Sequence, residues 1–330
     1  MNLTIRSQRR GVFCGCFLLA GILLFCSPAD YPRSLQSPPY SPDAPGQSTI
    51  SVKTNLVVLP VTVIDAKGSF VPGLKAQDFW VYEDKRLQKI TMFQRGDTPV
   101  SVGLVVDHSR SMGSKLSEIA AAVFAFARSS NPQDEMFVVD FNDDVSLEPL
   151  SGKPFTNDAN ELEKAVTAVS ARGRTALYDA VAEGLLHLQL AHWEKKALII
   201  VSDGGDNASH QKYSQILALA RRSQVLIYSV GLVDAREEQD ENPGLLRRLC
   251  KDTGGIAYFP REGESVARVS TEIARDLREH YTLGYAPPNM KNAEAFRKIE
   301  VKVIAPGHGR LRVRTRSGYS TAAEKQPTAQ

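Results

Sequence analysis

Between residues 98 and 279, apolar runs alternate with stretches whose apolar residues recur every three or four positions, and this alternation limits the fold more than any other feature of the chain. Val102 to Val106, Met136 to Phe141, Ala197 to Val201 and Val225 to Val230 are nearly continuous apolar runs, and Gly255 to Phe259 is a last short one. Strands that read apolar throughout are buried on both faces, which is the mark of a parallel sheet covered by helices. The stretches between supply those helices. Their stripes are Leu116, Ile119, Ala120, Val123, Phe124 and Ala127; Tyr178, Val181, Ala182, Leu185 and Leu186; Ile216, Leu219 and Ala220; and Val266, Val269, Ile273 and Leu277. The expected fold class is α/β: a doubly wound, mostly parallel, Rossmann-like sheet.

β-rich segments flank this core. Leu56 to Asp65 is a β-branched run, and Ala66-Lys67-Gly68 is a turn. Phe79 to Tyr82 and Ile90 to Phe93 read as strands joined by the charged turn Glu83-Asp84-Lys85-Arg86. After the core come Tyr281 to Tyr285, then Lys298 to Val303, whose alternation puts Ile299, Val301 and Val303 on one face, then Arg310 to Arg316. Neither flank alone has enough strands for a core, so the two are expected to form one small β-sandwich with the α/β part inserted between them.

At the N-terminus, Arg6, Arg9 and Arg10 precede an apolar stretch from Gly11 to Cys26. That stretch is shorter than the ~20 residues a membrane-crossing helix needs. With the small residues Ser27-Pro28-Ala29 after it, the layout is that of a signal peptide, and the alternative is an uncleaved anchor. Phe25 is too bulky for a lipid-attachment motif at Cys26. Three of the four cysteines fall in this stretch and only Cys250 lies beyond it, which excludes a disulfide framework and a cysteine-based zinc site. The expected organisation is a signal peptide over 1–29, a Pro-rich linker over 30–48, an N-terminal β segment over 49–97, the α/β domain over 98–279, a C-terminal β segment over 280–320 and a disordered tail over 321–330. The protein is expected to be exported: periplasmic, secreted or associated with the envelope through its N-terminus.

The polar residues gather where strands end. In an open α/β sheet, ligands bind beyond the carboxyl ends of the strands. Two apolar runs end in acidic loops, Asp107-His108-Ser109-Arg110-Ser111 and Asp203-Gly204-Gly205-Asp206-Asn207, and Gly173-Arg174-Thr175 precedes a helix between them. Three hydroxyls and two carboxylates, all oxygen donors, suit a hard cation rather than zinc or copper. The competing reading is that Ser, Thr and Asp here only cap helices and turns.

Taken in order along the chain, these loops resemble the metal-ion-dependent adhesion site of von Willebrand factor type A domains. Val63 to Gly68, Asp78 to Asp84 and Tyr281 to Tyr285 resemble a bacterial subgroup, the acidobacterial-type von Willebrand factor A-related proteins. The resemblance implies that Asp107, Ser109, Ser111, Thr175 and Asp203 hold Mg²⁺, or Mn²⁺ or Ca²⁺ in its place. It further implies that the cation takes an Asp or Glu side chain of a protein partner, because neutral hydroxyls leave it electron-poor. The expected function is metal-dependent binding without chemistry of its own. A hydrolase using the same metal, and a structural module with a vestigial site, are the alternatives.

Other candidates carry less. A phosphatase-type Asp nucleophile would need a second Asp two places on, where this chain has Ser109. His187 and His192 miss the i, i+4 spacing of a zinc pair, and Gly173-Arg174-Thr175 lacks a phosphate-loop ending. Cys250 reads as a packed small residue. Arg310, Arg312, Arg314 and Arg316 share one strand face, read here as a solvated surface balanced by neighbours such as Glu300. With no aromatic residues between them, nucleic acid is not expected as a partner.

Overall fold

The computed structural model describes residues 56–148, 151–233, 241–261, 264–287 and 296–320. The expected signal peptide, linker and C-terminal tail lie outside these residues. Among the described residues, no helix is long and apolar enough to cross a membrane.

In chain order the N-terminal strands are β1 (Val57–Ile64), β2 (Phe79–Glu83), β3 (Arg86–Gln88) and β4 (Ile90–Arg95). The central part follows as β5 (Ser101–Asp107), α1 (Leu116–Ser129), β6 (Glu135–Phe141), β7 (Val145–Leu147), α2 (Ala159–Ala168), α3 (Leu177–His187), β8 (Lys196–Ser202), α4 (Tyr213–Ser223), β9 (Leu226–Gly231), α5 (Pro243–Thr253), β10 (Ala257–Tyr258) and α6 (Val266–Arg278). The chain closes with β11 (Tyr281–Tyr285), β12 (Phe296–Val303), β13 (Arg312–Arg314) and β14 (Gly318–Ser320).

The central sheet has the order β10-β9-β8-β5-β6-β7 and is parallel except for the edge strand β7. Every residue of β5 and β9 is buried, as two-sided coverage demands. Helices α2, α1 and α6 pack side by side in one layer, and α3, α4 and α5 in another. The chain leaves β5 towards β6 on one side and β8 towards β9 on the other. Their carboxyl ends therefore flank the point where strand order reverses, the place in such sheets where a crevice opens.

Helix α2 was not anticipated from the sequence. Its buried residues are Ala159, Leu162, Ala165 and Val166, so half of its inner stripe is alanine and its periodicity is faint. The start is nonetheless encoded, since Asp158 accepts the N–H of Asn160 at 2.8 Å. Helix α5 is bracketed by Asn242, which accepts the Leu245 N–H at 3.0 Å, and by Gly254 at φ +96°. A Cβ at Gly254 would lie 2.7 Å from the Arg316 nitrogen, so glycine is needed there for the turn and for the close approach of the β13–β14 link.

The flanking strands form two antiparallel sheets, β13-β1-β11-β4 and β14-β12-β2-β3, around a shared apolar core that includes Leu59, Val61, Phe79, Val81, Tyr281, Leu283 and Ile299. This is the expected sandwich, with one change of connection. Asp84 and Lys85, at φ 46° and 68°, make a two-residue turn that returns β2 into the short β3, not into Ile90–Phe93. β4 then crosses to the other sheet and pairs with β11.

The arginine stripe is also corrected. Arg310 and Arg312 are exposed, but Arg314 is half-buried and Arg316 is buried. Arg314 pairs with Asp276 of α6 and donates to the Gly254 carbonyl at 3.1 Å and to Thr62 Oγ1 at 3.1 Å. Glu300 lies 3.4 Å from Lys302 instead of balancing an arginine. This end of the stripe is where the sandwich meets α4, α5 and α6, so its charges are enclosed by the partner layer.

His280 sits where the chain returns from α6 to β11. It is 4% exposed, and its Nδ1 has no hydrogen-bond partner among the described residues. Burial, aided by the nearby Lys195 charge, pushes its pKa down to about 3. The folded state therefore keeps His280 neutral, while the unfolded chain takes up a proton below its ordinary value near 6.5. Stability from this residue is complete above that value and is lost as the pH falls towards 3. We expect the loss to reach about 2 kcal/mol by pH 5, and His280→Phe to remove it, read from urea unfolding between pH 7 and 4.

Candidate metal centre

Asp107, the last residue of β5, is fully buried. Its Oδ1 accepts the Ser109 N–H at 2.9 Å and its Oδ2 accepts the Ser202 hydroxyl at 2.6 Å. Ser202 ends β8, so the two strands at the switch point are joined through one carboxylate. Ser109 Oγ lies 3.2 Å from Ser111 Oγ, and Ser111 Oγ donates to Asp203 Oδ2 at 2.8 Å. Asp203 Oδ1 accepts the Gly205 N–H at 2.9 Å, which fixes the carboxylate on its own turn. Asp107, Ser109, Ser111 and Asp203 thus lie on one hydrogen-bonded path across two loops.

Thr175 joins through its backbone. Its N–H donates to Asn207 Oδ1 at 2.9 Å, and its carbonyl accepts from the N–H groups of Asn207 at 2.9 Å and Ala208 at 3.0 Å. The same loop is tied to the Asp107 loop, where the Arg172 N–H reaches the His108 carbonyl at 2.9 Å. Gly173, at φ +73°, sits where a Cβ would lie 1.7 Å from Asp143 Oδ2, so no larger residue could make this turn as it stands. Among the described residues, no hydrogen bond engages the Thr175 hydroxyl.

The hydroxyls are not spent on capping. The 3-10 turn over Arg110–Lys115, with Ser109 at its N-cap, has no side-chain cap bond, and neither have α1 and α3. The first turn of α3 is instead held by Asp206 and Ser209, which accept the Tyr178 N–H at 3.2 Å and 3.0 Å.

Burial, reinforced by the like charge of Asp203, pushes Asp107 up to about 6 against the hydrogen bonds from Ser109 and Ser202. Among the described residues there is no group of three or more His, Cys, Asp or Glu side chains arranged for a metal. The side chains brought together by hydrogen bonds are two carboxylates and the hydroxyls of Ser109 and Ser111, with the Thr175 backbone tied to the neighbouring loop; these are all oxygen donors, of the kind that suits a hard divalent cation.

Sequence reasoning missed three supporting residues. Ser202 and Asn207 orient Asp107 and Thr175; each stands beside an expected residue or loop, and the signal was their place at a strand end and in an Asp-Asn turn. His108 is the third. It is fully buried, with Nε2 2.9 Å from the Val166 carbonyl and Nδ1 2.9 Å from Asp140. It therefore anchors the Asp107 loop to β6 and α2.

A family model for the von Willebrand factor type A domain matches residues 101–272, just over half of the chain. No curated protein matches the sequence. Among solved structures, one described as von Willebrand factor type A from Catenulispora acidiphila is 12% identical, covers 82% of this chain and 74% of its own, and gives a TM-score of 0.49. An aerotolerance-related membrane protein from Bacteroides fragilis is 14% identical over 54% of this chain and 98% of its own, with a TM-score of 0.43. A mutant of the PilB minor pilin from Streptococcus sanguinis is 12% identical over 56% of this chain and 63% of its own, with a TM-score of 0.43.

Proposed function

Because the chain belongs to the von Willebrand factor type A family, we propose that it is an exported binding protein that takes an acidic side chain of a protein partner through a divalent cation. Asp107, Ser109, Ser111, Thr175 and Asp203 would hold the cation, Mg²⁺ or Mn²⁺ by the hardness of the donors. The cation supplies an electron-poor point for an Asp or Glu carboxylate. The chain's own residues do the positioning. Ser202 and the Ser109 N–H fix both oxygens of Asp107. Asn207 fixes the backbone that carries Thr175. The observation that carries the reading is the Ser111–Asp203 bond at 2.8 Å between the loops after β5 and β8, in a site whose hydroxyls cap no helix. The reading includes no catalytic step.

Binding predicts that Mg²⁺ at about a hundredfold excess over its Kd stabilises the fold by ~2.7 kcal/mol, a rise of roughly 5 °C or more in melting temperature. Asp107→Ala abolishes the rise. Thr175→Ala reduces it without touching a buried carboxylate, so it serves where the Asp107 variant folds poorly. Capture of partners from an envelope extract is expected to need the cation and to fail with chelator or with Ser109→Ala. Hydrolysis of phosphoesters or peptides that depends on Asp107 would overturn the reading, and an unchanged melting temperature at high Mg²⁺ would make the site vestigial.

A further inference from the structure

Between α5 and the β12–β14 side of the sandwich lies a cavity of ≈ 510 Å³, lined among others by Arg247, Lys251, Thr315, Arg316 and Glu300. Arg316 is 3% exposed, and its hydrogen bonds are to neutral groups: Nε donates to the Gly318 carbonyl at 3.1 Å and Nη2 to the Arg221 carbonyl at 2.9 Å. Neighbouring arginines are neutralised. Arg221 holds Asp252 at 2.8 Å, Arg297 holds Glu83 at 2.5 Å and Arg314 holds Asp276. Glu300, the one carboxylate on the cavity wall among the described residues, lies 3.4 Å from the Lys302 amine. Arg247 and Lys251, one turn apart and exposed on α5, face the cavity and form no ion pair among the described residues. Arg247 stacks on the Phe259 ring, 4.1 Å from its centroid.

A buried guanidinium without a counter-charge is strongly disfavoured unless an anion supplies that charge. Burial alone pushes Arg316 down to about 10, with no carboxylate near enough to hold it up. The planar fork of arginine matches the oxygens of phosphate and carboxylate, and the volume falls within the range of small-molecule sites.

We propose that this cavity binds a small molecule through an oxyanion group, with Arg316 as the buried anchor and Arg247 and Lys251 as its outer clamp. The site is separate from the cation loops and does not depend on the function proposed for them.

The test is melting of the full chain in metal-free buffer with inorganic phosphate, succinate or chloride at equal ionic strength. Phosphate or succinate is expected to raise the melting temperature by about 2 °C or more over chloride. The stronger of the two identifies the head group as phosphate or carboxylate. The double variant Arg247→Gln, Lys251→Gln changes exposed positions only and is expected to weaken apparent affinity about tenfold. A general salting effect of phosphate would appear equally in that variant, so the difference between the two proteins is the measure. Arg316→Gln is expected to abolish the response, and the double variant keeps the test decisive if Arg316→Gln does not fold. Equal melting in all three salts, or a rise of the same size and concentration dependence in the double variant as in the parent, would overturn the proposal.

Discussion

Glu83→Ala is expected to lower the melting temperature by roughly 10 °C, from a loss of about 3–5 kcal/mol. Glu83 is 4% exposed inside the sandwich and satisfies both carboxylate oxygens. Oε2 accepts the hydroxyls of Tyr285 at 2.6 Å and Tyr319 at 2.9 Å, and Oε1 accepts Arg297 Nη1 at 2.5 Å. Tyr285 belongs to the sheet opposite Glu83, whereas Tyr319 and Arg297 belong to its own, so one side chain ties the two layers. Removing it takes a buried carboxylate from Arg297 and the acceptor from two buried hydroxyls together. Glu83→Gln keeps an acceptor and the shape, and is expected to cost about half as much. Chemical denaturation measures both; an alanine variant within about 1 kcal/mol of the parent would show that the tyrosines find other partners.

The second large effect is at the junction of the layers. Asp276 takes Arg314 and also accepts the Tyr228 hydroxyl at 2.6 Å. Its side chain is 14% exposed and that of Arg314 is 21% exposed, so solvent screens the pair little. Asp276→Leu is expected to cost about 3 kcal/mol, since it leaves the guanidinium enclosed without its charge partner. Adding Arg314→Met should recover part of that loss, giving a coupling of about 2 kcal/mol in a double-mutant cycle. Strict additivity of the two single changes would remove the pair from any account of how the sandwich and the α/β layers hold together.

What could be read from the sequence, and what could not, follows from how each residue meets its surroundings. β5, β6, β8 and β9 were legible because two-sided burial writes an unbroken apolar run. The loops carrying Asp107 and Asp203 stood out because each follows an unbroken apolar strand, and the Thr175 turn because Gly173 and Thr175 open a helix with a legible apolar stripe. α2 was hidden by its alanines, which fill the stripe without announcing it. Glu83, Arg314 and Arg316 were hidden for the opposite reason. A charged residue in a strand reads as solvent-facing unless the layer that covers it is known, and that layer comes from distant parts of the chain. The passage of β4 to the opposite sheet was invisible for the same cause, because Ile90–Phe93 would suit either sheet and its partner β11 lies about 190 residues further on.

β4 and β11 are neighbours, with Arg95 directly opposite Tyr281. From the viewpoint of the sandwich, everything between those residues is a single overgrown hairpin loop. The entropy of closing such a loop grows only with the logarithm of its length, so the β4–β11 ladder is nearly indifferent to how much chain it carries. Chain length is therefore no obstacle to exchanging the inserted part for another, provided the replacement offers a carboxylate to Arg314 where Asp276 stands now.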